Sequence, residues 1–206
     1  MTPIPLLHTT PDLLFIDKPS GLLSVPGKTE PDCVEARLRE RFPETLLVHR
    51  LDMATSGVMV FARNKTAQRH LGLQFERRHV GKRYEAVVHG RVELDGGVID
   101  LPLRADWPNR PRQMVCFEQG KSSLTEWRVL QREDDRTRVM LLPRTGRSHQ
   151  LRVHMRELGH PILGDRLYAT GDALAASPRL LLHAAELSLF EPTGGARVTV
   201  ESPVPF

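Results

Sequence analysis

The 206-residue chain has two cysteines, Cys33 and Cys116, and no apolar run near the roughly 20 residues that span a bilayer. Two cysteines so far apart read as buried thiols rather than a disulfide or a metal site. The N-terminus, MTPIPLLHTTPDLL, has no basic n-region and carries prolines and an acid early, so a cytoplasmic location is expected and a secretory signal is not. Internal repeats, low-complexity tracts and long linkers are missing. So are a P-loop lysine pattern, a GxGxxG after a strand, a GxSxG and an HExxH, which speaks against a nucleotide cofactor or a zinc hydrolase. His149 and His154 lie five apart on one expected helix, with no cysteine or carboxylate to complete a site, so no metal is expected.

Hydrophobic content of 40% and charged content of 26% suit a soluble globular chain with a sizeable core. The net charge is +4, and its distribution says more than its size. RNKTAQRHLGLQFERRHVGKR (63–83) holds seven Lys or Arg against Glu76 alone, and RTGRSHQLRVHMR (144–156) holds four Arg and no acid. Such clusters fit phosphate binding, and also a solvated helix face.

Elements alternate along the chain. Strands are expected at 13–16, 45–48, 57–62, 84–88, 124–130, 138–142, 180–190 and 197–200. Asp32 with Glu35 opens a helix whose face is Val34, Leu38 and Phe42. Asn64 or Thr66 caps a second, with Ala67, Leu71 and Phe75 four apart; Ser148 caps a third, ended by Gly159. Asp95-Gly96-Gly97 reads as a turn, and the proline-rich, basic RADWPNRPRQ as a loop. Short strands at uneven spacing among three helices predict an α+β fold with a mixed, mostly antiparallel sheet.

HRLDMATSG (49–57) sits between two apolar runs. Asp52 there fits an Asx-turn, and equally a general base or nucleophile kept ionised by an arginine. Residues two apart in extended chain point the same way, so Arg50 shares its side. Arg147, at a strand-to-helix turn, suits an ion pair or an anion clamp, or is plain surface charge. Tyr84, at the end of GKRY, suits core packing or stacking on a base.

Together HRLDMATSGVMVFARNK, GKRYEAVVHG, RTGRSHQLRVHMRELGHPILGD and LLLHAAEL, after DLLFIDKPSGLLSVPG, resemble the successive blocks of the ribosomal large-subunit pseudouridine synthase A family. The resemblance implies a bent sheet in two lobes with a central RNA-binding cleft. It implies one catalytic domain over 1–206, without an S4-like RNA-binding domain and with neither metal nor cofactor; a monomer is expected, since no repeat or capping pattern demands a partner. Asp52 matches the catalytic aspartate, and Arg50 the arginine that manages the flipped base. Tyr84 matches the tyrosine that packs on uracil and takes the C5 proton, and Arg147 the partner of the aspartate. His49, Lys82, Arg83, Arg110 and Arg144 are further candidates for RNA contact. The implied substrates are a uridine in a 23S rRNA hairpin loop and the first residue of the tRNA anticodon loop. A non-catalytic RNA-binding or ribosome assembly factor on the same fold is the alternative.

Overall fold

The structure, a computed structural model, describes residues 3–206. The chain runs through β1 (Leu6–Thr9), β2 (Leu13–Lys18), α1 (Val34–Arg41), β3 (Leu46–Leu47), β4 (Ser56–Ala62) and α2 (Lys65–Glu76). It continues through β5 (Gly81–His89), β6 (Gly96–Asp100), β7 (Leu103–Ala105), a 3-10 turn (Trp107–Asn109), β8 (Gln113–Val115), β9 (Leu124–Arg132) and β10 (Arg136–Pro143). It ends with α3 (Gln150–Glu157), α4 (Gly171–Ala175), β11 (Leu182–Phe190) and β12 (Arg197–Glu201). Two compact units result: the segment ending at Lys82 with His183–Pro205, and Arg83–Leu182 with Phe206.

In the first unit β4 is the central strand. All seven of its residues are buried, as expected for a strand covered on both faces. β2 pairs with it antiparallel from Leu13↔Ala62 to Lys18↔Gly57, and β3 pairs antiparallel at Leu46↔Ala62. β11 joins it in parallel at His183↔Ser56 and Ala184↔Gly57, and β12 closes on β11 antiparallel. The β4–β11 crossing is tight. A Cβ on Gly57 would lie 2.3 Å from the Ala184 carbonyl oxygen, and Gly57 has φ +114°. Only glycine fits. Leu13, Phe15, Val58 and Val60 meet Ala67 and Leu71 of α2 in the core. Asn64 caps α2, accepting the Ala67 N–H at 2.8 Å.

In the second unit β5, β10, β9 and β6 are antiparallel neighbours. Gly96 and Gly97 belong to β6 rather than to a turn, because they pass over buried Trp127. A Cβ on Gly97 would stand 3.2 Å from the indole nitrogen. Residues 103–115 are not a plain loop either. β7 and β8 pair from Leu103↔Val115 to Ala105↔Gln113. The tip between them is closed by Asp106 N–H on the Arg112 carbonyl and Asn109 N–H on the Asp106 carbonyl, each at 3.0 Å.

Three local expectations are corrected. Cys33, not Asp32, caps α1: its Sγ accepts the Ala36 N–H, while Asp32 is ion-paired with Arg37. Ser148 does not cap α3. His149 stands before the helix at φ +54°, and Gln150 reaches back to accept the Arg147 N–H at 3.0 Å. Of the two thiols only Cys33 is buried; Cys116 is half-exposed. α4, β1 and the hairpin of β7 and β8 were not read from the sequence, each element being only three to five residues long. The mixed, mostly antiparallel sheet is as expected.

Candidate active site

Asp52 lies in the turn between β3 and β4 and is half-buried; Arg50 is exposed. What holds this turn is the segment DKPSG with the residues after it. Lys18 is wholly buried, and its ammonium donates to the carbonyls of Pro19 (2.8 Å), Leu22 (2.7 Å) and Met53 (2.9 Å). Three donors thus meet three carbonyls, which is what a buried ammonium needs. Gly21 N–H adds a second bond to the Met53 carbonyl, at 2.9 Å. The Ser20 hydroxyl donates to the Ala54 carbonyl at 2.7 Å. Ser24 Oγ donates to the Leu51 carbonyl (2.6 Å) and accepts the Leu51 N–H (3.1 Å). The residues on both sides of Asp52 are therefore fixed from 27 to 35 positions away in sequence. Thr55 N–H closes on the Asp52 carbonyl at 3.1 Å.

The far end of the turn is anchored too. Ser56 Oγ lies 2.8 Å from His183 Nδ1, and His183 Nε2 lies 3.1 Å from Ser202 Oγ, all three residues being buried. His49 is half-buried and used within the protein. Its Nε2 accepts the Val60 N–H at 3.1 Å, and its ring stacks on Phe75 with centroids 4.8 Å apart. Burial, with Lys82's charge second, pushes its pKa down to about 3, so the ring is neutral and can accept.

In the second unit Tyr84 is half-buried on β5, opposite Leu141 of β10. Arg147 is exposed in the turn before α3, and its Nε donates to the Ser122 carbonyl at 3.1 Å. Gln150 organises that turn. Its Oε1 accepts from Thr145 Oγ1 and the Arg147 N–H, and its Nε2 donates to the Leu124 carbonyl and Thr125 Oγ1. Beneath it Arg152 forks onto Asp165 at 2.6 and 2.8 Å, with both side chains buried.

Of the other candidates, Arg83 is paired with Glu85 at 2.9 Å, and Arg144 forks onto Glu126 at 2.7 and 2.9 Å. Arg110 lies over the exposed Trp107 ring, 4.0 Å from its centroid, at the tip of the hairpin of β7 and β8. Lys82 is half-buried at the start of β5. Sequence reasoning missed Lys18, Ser20, Ser24 and His183 as supports of the site. Their signal was a lysine ending the apolar run LLFID, and a histidine inside LLLHAAEL. Among the described residues no group of three or more His, Cys, Asp or Glu is arranged to hold a metal ion. None of the helices is long and apolar enough to cross a membrane, again among the described residues.

The sequence profile of the RNA pseudouridylate synthase family matches residues 12–157. The chain belongs to this family, whose members isomerise uridine to pseudouridine in RNA, and it is an isomerase of that class. It is similar to the dual-specificity RNA pseudouridine synthase RluA of Vibrio vulnificus, at 57% identity over 187 residues, covering 87% of this chain and 75% of that one. It is 51% identical over 204 residues to the protein of the same name from Escherichia coli K12, covering 98% and 93%. Among solved structures, human RNA pseudouridylate synthase domain containing 1 superposes with a TM-score of 0.85 at 32% identity, covering 98% of this chain and 84% of that one. Human domain containing 4 gives 0.79 at 26% identity, covering 98% and 88%.

Proposed function

We propose that the protein acts on two RNAs, modifying a uridine in a hairpin loop of 23S rRNA and the first residue of the tRNA anticodon loop. The dual-specificity names of its bacterial relatives support this reading. A compact protein serves two such substrates by reading a shared loop shape and a few splayed bases. It works in the cytoplasm as a monomer with one catalytic domain, and needs no cofactor.

In this reading the target uridine leaves the stack, at a cost of a few kcal/mol that is lowest in a loop. Arg50, exposed beside the turn, holds open the space it vacates. Asp52 opens the N1–C1′ bond. The base turns, C5 bonds to C1′, Tyr84 takes the proton that C5 gives up, and N1 gains one. Atoms balance, since the product is an isomer. The resemblance assigns Arg147 the role of counter-ion to the aspartate. Lys82, Arg83, Arg110 and Arg144 hold the RNA backbone, the last two from exposed positions. His49 supports the turn from within.

The observation that carries the proposal is the clamping of residues 51–54 by Lys18, Ser20, Gly21 and Ser24, which holds a carboxylate in a preset position. Purified Asp52→Ala protein, given a 23S rRNA fragment or a tRNA anticodon stem-loop, is expected to bind RNA and form no pseudouridine, read by chemical marking and sequencing. Ordinary turnover would rule the proposal out. An unchanged rate in Arg147→Ala would remove the ion pair from the mechanism.

A further inference from the structure

Tyr168, just past GHPILGD, has no part in the chemistry above, yet the hairpin of β7 and β8, the turn before α3 and α3 itself all converge on it. It is buried in the second unit. Its backbone N–H donates to Asp165 Oδ1 at 3.2 Å, and Asp165 is the carboxylate held by Arg152. Its ring carries the guanidiniums of Arg112, Arg152 and Arg156, at 5.5, 5.1 and 5.4 Å from the centroid. Its hydroxyl accepts the N–H of Gln113, the first residue of β8, at 2.7 Å. The same hydroxyl lies 2.7 Å from His149 Nδ1, and the two rings meet edge to face with centroids 5.6 Å apart.

His149 is the residue of that turn most in need of holding. Its φ is +54°, a left-handed conformation that disfavours any residue with a Cβ. Such a residue persists where its surroundings over-determine it. Its carbonyl accepts the Val153 N–H at 3.0 Å as α3 begins, and its ring is tied to the Tyr168 hydroxyl. Arg147 stands two residues earlier. Gln150 steadies the turn from one side, through the Arg147 N–H and Thr145 Oγ1, and Tyr168 steadies it from the other, through His149. Packing accounts for the Tyr168 ring. It does not account for the aim of the hydroxyl, at one N–H of the hairpin and one side chain of the turn.

We infer that Tyr168 is a positioning residue for the isomerisation: its hydroxyl, seated on the hairpin, holds His149 in the left-handed state and so sets the turn that presents Arg147. The inference rests on the role given to Arg147 above.

Tyr168→Phe removes the hydroxyl and keeps the ring with its three guanidiniums. On a tRNA anticodon stem-loop oligonucleotide, kcat for pseudouridine formation is expected to fall about five- to twentyfold with KM within about twofold, since the turn shifts and the RNA contacts stay. Tm is expected to fall by about 2–6 °C, because the Gln113 N–H loses its acceptor. Added to Arg147→Ala, the same replacement is expected to change the residual rate by less than about twofold, because a residue acting through Arg147 has nothing left to position. A lowered Tm with unchanged kcat would make Tyr168 a structural residue and overturn the inference. An equal loss of rate with and without Arg147 would overturn the route through that turn. No pseudouridine from the unaltered protein, or an unchanged rate in Arg147→Ala, would instead overturn the functional reading on which the inference rests.

Discussion

Replacing His49 by glutamine should flatten the acid dependence of stability. In the fold His49 Nε2 accepts the Val60 N–H, so protonation removes the acceptor and puts a positive charge beside Lys82 in a partly dry site. Its pKa in the fold is about 3, against an unfolded value of about 6.5. Because the folded value is the lower, the stability this residue contributes is complete above about pH 6.5 and drains away as pH falls toward 3. Between about pH 7 and pH 5 the unfolded chain takes up the proton and the folded one does not. The linkage gives a loss of about 2 kcal/mol over that interval. His154 acts in the same direction, since burial lowers its pKa as well, but it is present in both proteins and cancels in the comparison. Glutamine keeps an oxygen for the Val60 N–H and has no proton to gain. It gives up the stack on Phe75, worth about 0.5–1.5 kcal/mol at any pH. Urea denaturation of both proteins at pH 7 and pH 5 tests this. The wild type should lose about 2 kcal/mol more than His49→Gln over the interval. Parallel pH profiles would refute the argument, by showing that His49 is not held neutral in the fold.

Two further predictions concern the frame. Arg152→Leu removes the guanidinium from the buried Asp165 carboxylate, which keeps the backbone N–H groups of Leu167 and Tyr168, and should cost about 3–5 kcal/mol in denaturant unfolding, part of it recovered in Arg152→Leu/Asp165→Leu. Gly57→Ala drives a methyl into the Ala184 backbone at positive φ and should cost at least about 3 kcal/mol, whereas Gly72→Ala, on the open side of α2, should gain about 0.5–1 kcal/mol in the same thermal melts.

Much of the site could be read along the chain. Asp52, Tyr84 and Arg147 were marked because each falls in a block of several defined residues, and the order of blocks survives whatever the fold does with them. α2 was legible because Ala67 and Leu71 recur at helical spacing behind an asparagine cap, and both the spacing and the cap are local properties. The strands that became β4, β9 and β10 were legible for the same reason, being apolar or alternating over seven residues or more.

Other features were decided only when distant parts of the chain met. The burial of Lys18 depends on a carbonyl 35 residues away, at Met53, and no local pattern distinguishes such a lysine from a solvated one. His49 stood among the candidates for RNA contact, and only the fold shows that its Nε2 accepts the Val60 N–H and that its ring stacks on Phe75. RADWPNRPRQ looked like a loop because proline and charge dominate its composition, yet the pairing of Leu103–Ala105 with Gln113–Val115 makes it the end of a hairpin. Sequence by itself determined the family and the periodic elements, and marked the candidate site residues, because those depend on residue type and short spacing. Tertiary structure alone decided which polar side chains, such as Lys18, Ser24 and Gln150, hold the turns in place, because a hydrogen-bond partner is a matter of distance in space.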